Sequence, residues 1–172
     1  VTTEVPFGLR PGARLLDLEL PDQSGSVRRL SELVAGDPAL VVFSRGWWCP
    51  KEQRFMRGLV TLQDEIEVAY ARLVSVSVDP PEVTAAFRAG LGARWTFLSD
   101  EARRYLDVLG LRETADTLHH PYLPAAALVL PDLTIRRAWN GYWFLGRPTL
   151  EEIRQGFRDV SRMIRPDWVP PG

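Results

Sequence analysis

Cysteine, lysine and histidine are nearly missing from this 172-residue chain: it holds one cysteine (Cys49), one lysine (Lys51) and two histidines (His119 and His120). A single cysteine excludes an intramolecular disulfide and any metal site built from several thiolates. Two adjacent histidines leave no third to complete a histidine site, so no metal and no cofactor is expected. Long apolar runs are also lacking. The longest, Ala39–Phe43 and Leu123–Leu130, fall far short of the roughly 18 residues a membrane span requires. The formal net charge is −1, with no basic block, so there is no electrostatic footprint for nucleic acid. No basic start followed by an apolar core and a cleavage site is present. These absences predict a soluble, cytoplasmic protein with neither a membrane nor a nucleic-acid partner.

What is present is globular. Hydrophobic residues make up 45% and charged residues 25%, values of an ordinary folded domain. At this length one fold removes roughly 70% of the unfolded surface from water, so the core needs no staple. No repeat or low-complexity run interrupts the chain. Residues 1–10 read as an irregular arm, 11–165 as one domain, and 166–172 as a proline-rich tail.

Within the domain the signals alternate. Leu15–Leu20 reads as a short strand and Pro21–Gly25 as a turn. A short helical turn over Ser31–Ala35 precedes Ala39–Ser44, whose continuous apolar run suits a strand covered on both faces. Phe55, Met56, Leu59, Leu62 and Ile66 recur every three or four residues, which predicts a helix after Pro50. Leu73–Val78 is the next strand. Asp79 with Glu82 reads as the start of a helix running to about Leu91. Trp95–Leu98 is a short strand, with Ser99 or Asp100 capping a helix through Leu109. Pro124 opens the strand Ala125–Leu130, which pairs with Thr134–Trp139, and Thr149 with Glu152 caps a final helix. Strands separated by helices imply parallel crossovers, while the last two strands form a hairpin. The expected class is α/β: a mixed central sheet with helices on both faces.

Cys49 falls after a buried strand and at the start of a helix, where unpaired N–H groups and the helix dipole favour a thiolate. Arg45 and Lys51 flank it. The thiolate is a nucleophile toward peroxides and disulfides; a lone cysteine can equally be a small buried apolar residue. Trp47 and Trp48 either shape an apolar pocket or fill the core, and we expect one of each. His119 and His120 lie in the loop before Pro124, as a base for the thiol or simply solvated. Glu52, a helical turn from Cys49, either relays a proton or complements the helix dipole. The aromatic stretch Asn140–Pro148 suits a cover for the core edge or a partner surface.

The segment FSRGWWCPKEQ resembles the thioredoxin-fold active-site motif W-C-P-x-C, with Glu52 in place of the second cysteine. The chain from Pro11 to Met163 is similar to the alkyl hydroperoxide reductase / thiol-specific antioxidant (peroxiredoxin) family. The similarity runs through LELPDQSGSVRRLSEL, ALVVF, LVSVSVDPPEVTAAFRAGLGARWTFLSDEARRYLDVLGL and ALVLPDLTI. It implies a thioredoxin-like fold with Cys49 as the reacting residue, and Pro124 at the usually cis proline position facing it; read from the residues alone, Pro124 is a strand-start proline. The family pattern places a proline seven residues and a threonine or serine three residues before the cysteine. Here those positions hold Val42 and Gly46, and Pro124 falls near the place of the family's arginine. Arg45 is the candidate to supply that charge.

Together these features predict a one-cysteine thiol peroxidase. Cys49 and Arg45 form its centre, and Trp47, Trp48, Pro50, Glu52 and Pro124 line its pocket, with Lys51 and His120 as weaker candidates. Its substrate is a small peroxide or disulfide, and an external thiol recycles it, because the chain has no resolving cysteine. A monothiol disulfide reductase and a redox-inactive binding module remain as alternatives. A homodimer is compatible with the fold class by analogy alone.

Overall fold

In the computed structural model, which describes residues 8–143, 145–167 and 169, the elements follow one another as β1 (Glu19–Pro21), β2 (Val27–Arg29), α1 (Leu30–Val34), β3 (Ala39–Phe43), α2 (Pro50–Val68), β4 (Arg72–Ser77), α3 (Pro81–Leu91), β5 (Thr96–Ser99), β6 (Ala125–Val129), β7 (Ile135–Asn140) and α4 (Leu150–Ile164). Most of the expected arm (residues 1–7), Phe144 of the aromatic stretch and residues 168 and 170–172 of the tail lie outside the described residues. Of the arm, Leu9 is buried, and its N–H and C=O are both bonded by the Asn140 side chain, at 2.7 and 2.8 Å.

The large sheet has the order β5-β4-β3-β6-β7. Strands β3, β4 and β5 run parallel, while β6 is antiparallel to β3 and β7 to β6. β1 and β2 form a separate antiparallel pair. All five residues of β3 are buried, as its continuous apolar run requires of a strand covered twice. Leu40 and Val42 face a cluster that includes Met56, Leu59, Leu62 and Ile66 of α2 and Ile153, Phe157 and Val160 of α4, with Phe87 and Leu91 of α3 packed against it. Val41 and Phe43 face a second cluster containing Leu30, Leu33 and Val34 of α1 with Leu106, Leu109, Leu111 and Tyr122. The thioredoxin-like arrangement of a mixed sheet between helices is therefore present. Among the described residues no helix is long and apolar enough to cross a membrane.

Three local expectations need correction. Residues 15–18 are not a strand: Leu15 donates its N–H to the Leu133 carbonyl, and regular pairing begins only at Glu19. Asp79 does not cap α3, whose first turn follows Pro80; its carboxylate is committed elsewhere. No helix lies between β5 and β6. The Asp100 carboxylate instead gathers the N–H groups of Arg104 and Tyr105 and the Tyr122 hydroxyl at 2.5 Å. That triple acceptor folds the segment into turns instead of a cap, and burial with this bond drives the Tyr122 phenol well above its usual range. The Thr149–Glu152 capping box of α4 is present, with both reciprocal bonds made.

The C-terminal end of β3 positions the site. Phe43 pairs with Ala125, so Pro124 lies beside the exit of β3, where residues 44–49 lead into α2.

Candidate active site

Ser44 leaves the sheet with its N–H still on the Val76 carbonyl, at 2.8 Å. The chain then turns tightly. Gly46 has φ +135°, and the Cys49 N–H closes the turn on the Gly46 carbonyl at 3.2 Å. A side chain at position 46 would begin 2.6 Å from Trp48 Nε1 and 3.2 Å from Asp79 Oδ1. The threonine or serine of the family pattern has no room here, which gives a physical reason for glycine. The Trp47 N–H is bonded to Asp79 Oδ2 at 2.9 Å. Burial pushes the Asp79 carboxyl above its usual range, although the bonds from Trp47 and Ser77 act the other way.

Cys49 is the residue preceding the first turn of α2, with Pro50 at the first helical position; its thiol bonds none of the first-turn N–H groups. It is 2% exposed. Arg45, also buried, directs Nη1 to Cys49 Sγ at 3.7 Å and Nη2 to Asp116 Oδ2 at 3.2 Å. Its Nε is buried with no acceptor. The guanidinium carbon lies 5.0 Å from the centre of the Trp48 ring, and the His119 ring stacks on the same indole at 3.6 Å and 12°. His119 Nδ1 is 3.0 Å from Asp116 Oδ2. Burial works against charge on Asp116, yet the N–H groups of His119 and Leu118 and the His119 ring hold its carboxyl below the usual range.

The other expected site residues are distributed unevenly. Trp47 is 48% exposed and Trp48 half-buried, so neither is core filling. Pro50 and Lys51 are exposed. His120 is exposed and occupied through its backbone, with its carbonyl accepting from Arg103 at 3.0 Å. His119 is the histidine that the Asp116 turn folds over Trp48. Pro124 is buried but not cis: no cis peptide bond occurs among the described residues. It stands just ahead of β6, where no ladder N–H is needed, and its carbonyl accepts from Gly141 at 2.8 Å. A trans bond meets both requirements.

Glu52 is fully buried one turn into α2 and is paired with Arg147 from the loop after β7: Oε1 accepts from Nε at 2.8 Å and also from Nη2, while Oε2 has no partner. Glu52 does stand as a carboxylate in the first turn of α2, and it has the further task of anchoring a loop. Sequence reasoning missed Arg147, Asp116 and the second role of Asp79. Asp116 and Arg147 lie 71 and 95 residues from their partners, and no local spacing encodes such pairs. Among the described residues, no group of three or more His, Cys, Asp or Glu side chains could hold a metal ion. A groove of about 780 Å³ between the C-terminal halves of α2 and α4 lies at the end of α2 opposite Cys49.

The arrangement sets a buried thiol beside a buried guanidinium. Residues 11–138 match the model of the AhpC/TSA family. No curated protein matches the chain. Solved structures do. Peroxidoxin BcpB from Mycobacterium tuberculosis is similar over 91% of this chain and 99% of its own, at TM-score 0.76 and 22% identity. A cysteine-to-serine mutant of peroxiredoxin 6 from Arenicola marina is similar over 96% and 82%, at 0.78 and 15%. Reduced Prx3 from Vibrio vulnificus, solved in complex with hydrogen peroxide, is similar over 87% and 99%, at 0.75 and 19%.

Proposed function

The chain belongs to the AhpC/TSA family, and from that membership we propose that it is a one-cysteine thiol peroxidase in which Cys49 reduces a small peroxide. The observation that carries this reading is the Arg45 guanidinium held 3.7 Å from Cys49 Sγ at the buried start of α2. Guanidinium and helix terminus are both complementary to a negative sulfur. The thiolate attacks one peroxide oxygen: an S–O bond forms, the O–O bond breaks, and sulfur becomes a sulfenic acid while the leaving alkoxide or hydroxide takes a proton. A first external thiol then displaces water to give a mixed disulfide, and a second releases the reduced enzyme. The Arg45 guanidinium takes, in this reading, the role the family gives to groups this chain lacks. Burial of Cys49 favours a small oxidant over a bulky disulfide, whose second sulfur needs room along the line of attack.

The test is intact mass of the reduced protein after stoichiometric hydrogen peroxide with a sulfenic-acid trap present. One rapid adduct, absent in Cys49→Ser, is expected. A chain that stays unmodified would refute the peroxidase reading and leave the exposed Trp47 and Tyr142 as the start of a search for a binding partner.

A further inference from the structure

We propose that Asp116 is the positioning residue of this site: it holds the Arg45 guanidinium against Cys49, an inference that rests on the peroxidase reading. An arginine side chain has several rotatable bonds to freeze, and its 3.7 Å contact with sulfur is a weak bond. Something else must aim it. Asp116 takes Nη2 at 3.2 Å and is largely buried. It is itself fixed on three sides, with Oδ1 receiving the Leu118 and His119 N–H groups and Oδ2 lying 3.0 Å from His119 Nδ1. The His119 ring stacks on Trp48, and Trp48 lies under Arg45. Arg45, Asp116, His119 and Trp48 thus close a ring of contacts around the guanidinium. By charge alone Asp116 disfavours an anionic sulfur, because it neutralises the cation. Any help it gives to Cys49 must therefore come through geometry, and the two effects have opposite signs.

That sign makes the proposal testable on the full-length reduced protein. Asp116→Asn keeps Oδ1 for the two backbone N–H groups but puts an amide where Oδ2 met Arg45. Two rates are measured: trapped sulfenylation of Cys49 by hydrogen peroxide, and alkylation by iodoacetamide. The alkylation rate at neutral pH is divided by its alkaline plateau, so that altered access cancels and the thiolate fraction remains. Positioning predicts that Asp116→Asn slows sulfenylation about 10- to 100-fold and lowers the alkylation ratio, with Asp116→Glu recovering part of both. An unchanged or raised ratio, or a sulfenylation rate within about twofold of wild type, overturns the proposal. If the wild type itself resists peroxide, the peroxidase reading fails, and the alkylation ratio alone decides whether Asp116 positions Arg45. Asp116→Glu also covers the case in which the asparagine variant does not fold.

Discussion

Asp79 shows how much one buried carboxylate can say about this site. Its folded pKa is raised because burial penalises the charged form. The unfolded carboxyl therefore releases its proton first as pH rises. The contribution to stability is complete below the ordinary value of 3.8 and is lost as pH climbs through the folded value. Asp79→Asn keeps an oxygen for the Trp47 N–H and removes that loss. Urea midpoints taken at acidic and at neutral pH should show the variant gaining on wild type as pH rises. A gap that stays constant with pH would contradict this account. Little of this was legible beforehand. Asp79 and Glu82 have the spacing of a helix start, but the demand of the Trp47 N–H, 32 residues away, outweighs capping. The nearness of Cys49 and Arg45 at the start of α2 was legible because helix position and a four-residue separation are local. His120 was named as the candidate in place of His119, since which ring turns inward depends on Asp116 receiving two backbone N–H groups.

At the scale of elements, periodic segments announced themselves: the stripe Met56, Leu59, Leu62 and Ile66 is the buried face of α2, and β3 is as apolar as its two coverings require. The segment after β5 was misread as a helix because Asp100 has the composition of a cap, while its actual partners include Tyr122 from 22 residues on. The link between α2 and the loop after β7 was equally invisible. It consists of the Glu52–Arg147 pair, whose side chains are 1% and 12% exposed. Removing one partner of a buried pair strands the other charge and costs roughly 3–5 kcal/mol. Arg147→Met should lose stability on that scale in denaturant titration. Glu52→Met combined with Arg147→Met should lose less than Arg147→Met alone, because no charge is then left buried. A double variant weaker than the single one would show that the pair is not the anchor.

For the molecule as a whole, order of elements carried the reading further than any motif. The succession of strands and helices, and the hairpin at the end, survive as the sheet β5-β4-β3-β6-β7. The local signals that failed were those settled by partners far along the chain. With one cysteine in 172 residues, no second thiol of the chain can lock an oxidised state as a disulfide. Cys49 occupies a position where helices ordinarily carry an oxygen-bearing residue, and its thiol leaves that function unfilled. Cys49→Ser should accordingly unfold at higher denaturant than the reduced wild type, by about 1 kcal/mol, while losing all reactivity toward peroxide; a serine variant no more stable than wild type would contradict this. The same reasoning applies when oxidation, not mutation, delivers the oxygen. On the proposed cycle, a sulfenate at this place would bring the side-chain acceptor that the start of α2 lacks, and each turnover would add that acceptor and take it away.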